Sequence, residues 1–495
     1  MALCLIHQLE QPAYVQRRTT KWNKATLICV QESQKNWEQA AGVALLLHAQ
    51  TASGAYKLLC YYSDRAWRRS GPARLMPTDT DPCLCTHLVY AFATIEENKI
   101  TTADLSDGDL YVLFNNIKKR NLRLLTLLAV GGDEFDMTRF TTMVSSSSNR
   151  AIFIDSVIQL LRSFNFDGID LHFQYPGSGV SPPEDKNRFT LLVQEMMAAF
   201  QFESAKKGIP RLMITAAVSA KKATIEAGYE ISELSQSLDL ISVMTYNFHG
   251  GWENMTAHHS PLYEWPTGQG DSVYFNCEYA MKHWKNSTMR SKKLLMGFPT
   301  YGRTFTLSTI TNCTVLSPAS GHGSAGSYTE EAGILAFYEI CRIPEGNSTS
   351  FQFNRDAQVP YACYGNQWIG YDDQLSFELK EEFRARQIIL LLSSSSVKIY
   401  QIVKGNIIPL VFLPSDWVTL KEMLDSFHVE FLLENGFGGA AVWSLDMDDF
   451  NGRFCNKGVY PLTSKLKDLL GLDTGDFNFN LDEFNNKDSV QLIEN

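Results

Sequence analysis

Between Phe166 and Gly177 the chain reads F-D-G-I-D-L-H-F-Q-Y-P-G, placing a carboxylate, an imidazole and an amide at alternate positions: Asp170, His172 and Gln174. Side chains alternate faces along a strand, so these three would share one face. Carboxylates and an imidazole stacked in this way are suited to moving protons and to steadying positive charge in a reacting molecule. The last member departs from that chemistry, because a glutamine amide has no acidic proton to give.

The strand needs a scaffold, and from Tyr56 onward short apolar runs alternate with longer helical patterns, the rhythm of parallel βα units. Eight such runs stand out: Leu58 to Tyr62, His87 to Ala93, Leu124 to Val130, Phe166 to Gln174, Arg211 to Val218, Leu240 to Phe248, Lys293 to Tyr301 and Gly439 to Leu445. Eight units predict an α/β fold, a (β/α)8 TIM barrel, with its site at the C-terminal ends of the strands. A doubly wound open sheet is the alternative, but no glycine-rich phosphate turn follows the first strand.

The Phe166–Gly177 stretch resembles the signature of glycoside hydrolase family 18, the chitinases, D-x-x-D-x-D-x-E followed by Tyr-Pro-Gly. Asp167 and Asp170 match it, His172 stands at the third Asp and Gln174 at the catalytic Glu. Further motifs carry the resemblance over most of Tyr56 to about Leu470: C-L-C-T-H-L-V-Y-A-F-A, L-L-A-V-G-G, V-M-T-Y-N-F-H-G-G-W, G-F-P-T-Y-G-R-T-F and G-G-A-A-V-W-S-L-D-M-D-D. Within the family the match is closest to mammalian acidic chitinase and the inactive chitinase-like lectins. In that family the Glu protonates the glycosidic oxygen while the substrate's own N-acetyl group attacks the anomeric carbon. The resemblance therefore implies that catalysis is lost, with Asp167, Asp170, His172, Gln174 and Asn247 as vestigial positions; Asn247 replaces the Asp of the family's M-T-Y-D. A rescue in which His172 serves as the acid would place the donor one strand pleat from where it is needed.

For sugar binding, the resemblance implies Trp443 as the floor of a groove, with Tyr61, Phe92, Tyr246 and Tyr301 around it and Trp252 toward the far side. Met244 would pack beneath the sugar, and Gln174, Asn247 and Arg303 would supply polar contacts. Aromatic faces suit the apolar faces of N-acetylglucosamine rings. Two platforms are missing: Arg65 and Asp133 stand where the family commonly has Trp, which should weaken binding of long chains. The expected ligand is a chitooligosaccharide or related N-acetylglucosamine glycan, with no cofactor and no metal. A scaffold for a protein receptor and a residual chitinase are the rival readings.

The chain has 495 residues, 44% hydrophobic and 20% charged, the profile of a globular protein. A net charge of −10 argues against nucleic acid as the main partner. Ten cysteines and sequons at Asn254, Asn286, Asn312 and Asn347 favour a secreted, extracellular glycoprotein. The resemblance implies disulfides Cys60 with Cys85 and Cys341 with Cys455; Cys83, Cys277, Cys313 and Cys363 receive no assignment. Residues 40–55 read as a signal-peptide core cleaved before Tyr56, too short to span a membrane. The atypical extension 1–39 ahead of it reads as an alternative first exon or a genuine extension. The remaining organisation is barrel over 56–302, a small α+β insertion domain over 303–372, barrel again over 373–470 and an acidic tail over 471–495. An unusual insert at about 384–430 has no counterpart in the family and falls inside the expected seventh helix; a retained intron or a gene-model error is the favoured explanation.

Overall fold

The computed structural model describes residues 56–472 apart from 266–269, 311–312, 347–348, 386, 394–395, 404–405 and 415–435. The extension 1–39, the signal-like segment 40–55, the sequons at Asn312 and Asn347, the end of the 384–430 insert and nearly all of the acidic tail lie outside these residues. Asn254 and Asn286 lie within them, and both are exposed.

The strands follow one another as β1 (Lys57–Ser63), β2 (His87–Glu96), β3 (Lys99–Thr102), β4 (Leu125–Gly131), β5 (Gly168–His172), β6 (Met213–Ser219), β7 (Leu240–Met244) and β8 (Leu294–Pro299). A second set comprises β9 (Tyr301–Leu307), β10 (Ala319–His322), β11 (Ile334–Ala336), β12 (Thr349–Asn354), β13 (Val359–Tyr364) and β14 (Gln367–Gly370). Three more, β15 (Gln387–Ser393), β16 (Ser396–Val403) and β17 (Asn406–Pro414), precede the last, β18 (Gly439–Trp443).

Strands β1, β2, β4 to β8 and β18 pair in parallel, and β1 bonds to both β2 and β18, so the sheet closes on itself. This is the (β/α)8 barrel that the eight apolar runs predicted, with β3 a short antiparallel addition to β2. The strands are near-continuous apolar runs because both faces are buried, one against the barrel interior and one against the helices. Leu59, Val89, Ala91, Leu127, Ala129, Leu295 and Ala441 fill the interior. A larger apolar layer, including Phe114, Phe153, Met196 and Trp284, lies between strands and helices.

Strands β9 to β14 form a separate antiparallel sheet that leaves the barrel directly after β8. Disulfides join Cys60 to Cys85 and Cys341 to Cys455, and a third, Cys313 to Cys363, joins the loop between β9 and β10 to β13 of this second sheet. Cys83 and Cys277 are buried thiols. In the insert, the helix Gln374–Ala385 does not run on: β15 to β17 follow as a three-stranded antiparallel meander that forms its own sheet.

Candidate functional site

The C-terminal strand ends surround a cavity of about 730 Å³, within the range of ordinary ligand sites, about 300–1,000 Å³. Phe92, His172, Gln174, Met244, Tyr246, Asn247, Trp252, Tyr301, Arg303 and Trp443 all line it. The fold thus gathers into one groove ten residues drawn from five strands and the loops after them. Three other expected residues do not reach its surface.

Asp167 lies before β5, toward the opposite end of that strand, where its carboxylate accepts from the Thr126 backbone N–H and the Lys118 ammonium, each at 2.8 Å. Its work is to tie β4 and a preceding helix to β5. Asp170 points into the barrel and is wholly buried. Parallel register sets Thr215 of β6 beside it, and the Thr215 hydroxyl donates at 2.5 Å while the Tyr61 hydroxyl donates at 3.0 Å. Burial pushes the Asp170 carboxyl up to about 6, against the pull of those two hydrogen bonds. Tyr61, expected beside the sugar, is only 1% exposed and supports the floor from below, its ring centroid 5.0 Å from that of Trp443.

Trp443 ends β18. Its carbonyl accepts from the Thr300 N–H at 3.0 Å, and the next residue exchanges bonds with the Thr300 hydroxyl, so the floor is held at both sides of the peptide. Phe92 stacks near it, with centroids 5.6 Å apart. The glycine pair in L-L-A-V-G-G makes this packing feasible. A Cβ on Gly131 would sit 2.3 Å from the His172 carbonyl oxygen, and one on Gly132 would sit 2.8 Å from the Phe92 ring; φ is +117° and +103° respectively. Only glycine tolerates both the close approach and the positive φ.

His172 ends β5, so Gln174 lies beyond the strand rather than on its face, yet the two side chains still meet at 3.2 Å between Gln174 Nε2 and His172 Nε2. With the amide so oriented, its N–H donates to Nε2, which places the imidazole proton on Nδ1. That nitrogen is buried without a hydrogen bond, 3.9 Å from Asp170 Oδ2. Burial pushes the imidazole down to about 3, so the ring is neutral and the approach to Asp170 is not an ion pair. A neutral ring whose Nε2 accepts from an amide is no proton donor at neutral pH, which removes the rescue role considered for His172.

Asn247 adopts a left-handed conformation, φ +58°, which Asn and Asp tolerate better than most residues. Its Oδ1 accepts from the Tyr301 hydroxyl at 2.7 Å and from Arg303 Nε at 2.9 Å. Tyr301 and Arg303 are alternate residues of β9, so strand periodicity aims both at the same oxygen. The Arg303 guanidinium also lies 5.3 Å from the centroid of Trp252, whose ring is half exposed.

The sequence reading missed other groove residues. Lys221 lines the cavity just past β6, its ammonium 5.1 Å from the Phe275 ring centroid and its pKa pushed down by burial. The barrel rule that sites form beyond strand ends was the signal that would have found it. Glu331, from the loop between β10 and β11, had no such signal.

A closed (β/α)8 barrel with an aromatic groove at its strand ends, and an antiparallel sheet as one wall, defines a barrel protein of the kind that holds a ligand beyond its strand ends. The family model described as glycosyl hydrolases family 18 matches residues 57–389, and the chain belongs to that family. It is 40% identical over 434 residues to human chitinase-3-like protein 2, covering 87% of this chain and 96% of that protein. It is 38% identical over 432 residues to mouse chitotriosidase-1, covering 87% and 82%. Among solved structures, human YKL-39, a pseudo-chitinase with retained chitooligosaccharide binding properties, superposes with a TM-score of 0.70 at 39% identity, covering 84% of this chain and 100% of that one.

Proposed function

We propose that this chain is a secreted chitinase-like protein without hydrolase activity that binds chitooligosaccharides or related N-acetylglucosamine glycans. The observation that carries the reading is the division of the groove: its aromatic floor and wall are present while its proton donor is not. Trp443, Phe92, Tyr246, Tyr301 and Trp252 line the cavity with the Asn247 and Arg303 polar pair. At the position of the family's acid, Gln174 is an amide turned toward a neutral His172. The pseudo-chitinase description of YKL-39 supports the same combination of lost hydrolysis and retained sugar binding. Three disulfides and the exposed Asn254 and Asn286 sequons favour an oxidising, extracellular setting. No helix among the described residues is long and apolar enough to cross a membrane.

Isothermal titration with chitotetraose tests the reading. Binding is expected, weakened roughly three- to tenfold in Trp443→Ala through the loss of one stacking face. No heat at millimolar ligand would remove the lectin reading.

A second reading, in which the barrel is a scaffold for a protein receptor, is favoured by the charged residues Arg65 and Asp133 where aromatic platforms were expected. Partner capture that survives Trp443→Ala, together with no sugar binding, would select it.

A further inference from the structure

Arg65 and Asp133 enter the sequence reading only as lost platforms, but the structure gives Arg65 a task. Its backbone N–H donates to the Ser63 hydroxyl at 3.2 Å, fixing the turn that leaves β1. From there Nη2 meets Glu134 Oε1 at 2.5 Å and Nη1 donates to Glu331 Oε2 at 3.1 Å. Glu134 follows β4 and Glu331 belongs to the loop between β10 and β11, so one guanidinium joins the barrel loops to the second sheet. In the closed barrel β1 lies between β2 and β18, with β4 beyond one and β8, which leads into the second sheet, beyond the other. Arg65 therefore stands between two opposing walls, and all three residues line the cavity.

Both anchoring loops are held. Glu339 braces the Glu331 loop, its carboxylate accepting from the Tyr328 N–H at 2.7 Å, the Thr329 hydroxyl at 2.9 Å and the Ala336 N–H at 3.0 Å. Asp136, two residues past Glu134, caps the helix Met137–Val144 by accepting from the Thr138 N–H at 2.9 Å. Partial burial opposes the charge on Arg65, yet its carboxylate neighbours, Glu134 first, hold its pKa above the ordinary arginine value.

We propose that Arg65 is a tie across one end of the groove that restricts it to short N-acetylglucosamine oligosaccharides; this rests on the sugar-binding reading above. A sugar chain growing past Trp443 toward this end meets a bridge of charge in place of an aromatic face. The pair with Glu331 is half-exposed and the Glu134 side chain is largely exposed, so each ion pair is weak, and a longer chain displaces the tie at a cost that offsets the contacts it gains. Affinity then stops rising with chain length.

Titration calorimetry of the full chain with chitobiose, chitotetraose and chitohexaose tests this. The parent is expected to bind chitotetraose and chitohexaose alike. Arg65→Ala, which removes both ion pairs, should tighten chitohexaose roughly three- to tenfold, and Glu331→Gln, which removes one, roughly two- to fivefold, with a smaller gain for chitotetraose and the smallest for chitobiose. Raising salt from about 0.1 M to about 1 M, which shortens the screening length from about 10 Å to about 3 Å, should tighten chitohexaose binding to the parent alone. Affinity that climbs steadily with length in the parent, unaltered by either substitution or by salt, overturns the tie and leaves the sugar site standing. No heat from any oligomer in parent or variants overturns both.

Discussion

At the scale of the residue, the proposed loss of hydrolysis rests on the pair Gln174 and His172. Reversal of Gln174→Glu alone supplies an acid but leaves a neutral imidazole where the family has a carboxylate. Activity on a fluorogenic chitobioside is therefore expected only in the triple variant Gln174→Glu, His172→Asp, Asn247→Asp. In that variant a second buried carboxylate would face Asp170 at close range, and two such groups cannot both ionise readily, so one would retain a proton at neutral pH. Hydrolysis by the parent that vanished in His172→Ala would contradict this account. His172 also leaves a signature in stability. Its folded value is pushed down to about 3 from an ordinary 6.5, so between those limits the unfolded chain binds the extra proton and stability falls as pH drops through the window. Asp170, pushed up to about 6 from 3.8, acts in the opposite sense, favouring the fold at the acid end. Urea unfolding should show His172→Asn losing less stability than the parent between about pH 6.5 and pH 4.

At the scale of the element, the groove depends on contacts that strands and loops make before any ligand arrives. Gly132 lets the end of β4 press against Phe92, which in turn packs on Trp443. Gly132→Ala forces a Cβ into that ring at a backbone angle alanine avoids, and should cost about 1–3 kcal/mol of stability while weakening chitotetraose binding; unchanged melting and affinity would show that the glycine is not needed. The Cys341–Cys455 disulfide ties the second sheet to the segment after β18, across a separation of 114 residues. Replacing both cysteines with alanine should lower unfolding free energy by about 2–4 kcal/mol, measurable by denaturant titration. The described part of the insert is the three-stranded meander β15 to β17, a hairpin-built sheet that begins where the helix Gln374–Ala385 ends.

At the scale of the whole molecule, the eight apolar runs were enough to indicate the barrel, and the net charge of −10 marks the protein as acidic. Secretion predicts a mature chain that begins at Tyr56, which Edman sequencing of the purified protein checks; a product that retains Met1 would count against export through the segment 40–55. The barrel was legible in the sequence because strands buried on both faces must be apolar runs, and their spacing follows from the helices between them. The amide at Gln174, on which the proposed loss of hydrolysis rests, was legible for a simpler reason, since the identity of a side chain is covalent and an amide has no acidic proton to give. Tertiary structure alone decided which polar residues face the groove. It turned Asp167 toward the far end of β5, sank Asp170 and Tyr61 beneath the floor, and brought Arg65, Glu134 and Glu331 to one point. Those positions depend on loops distant in sequence meeting across a closed barrel, and no local pattern encodes that meeting.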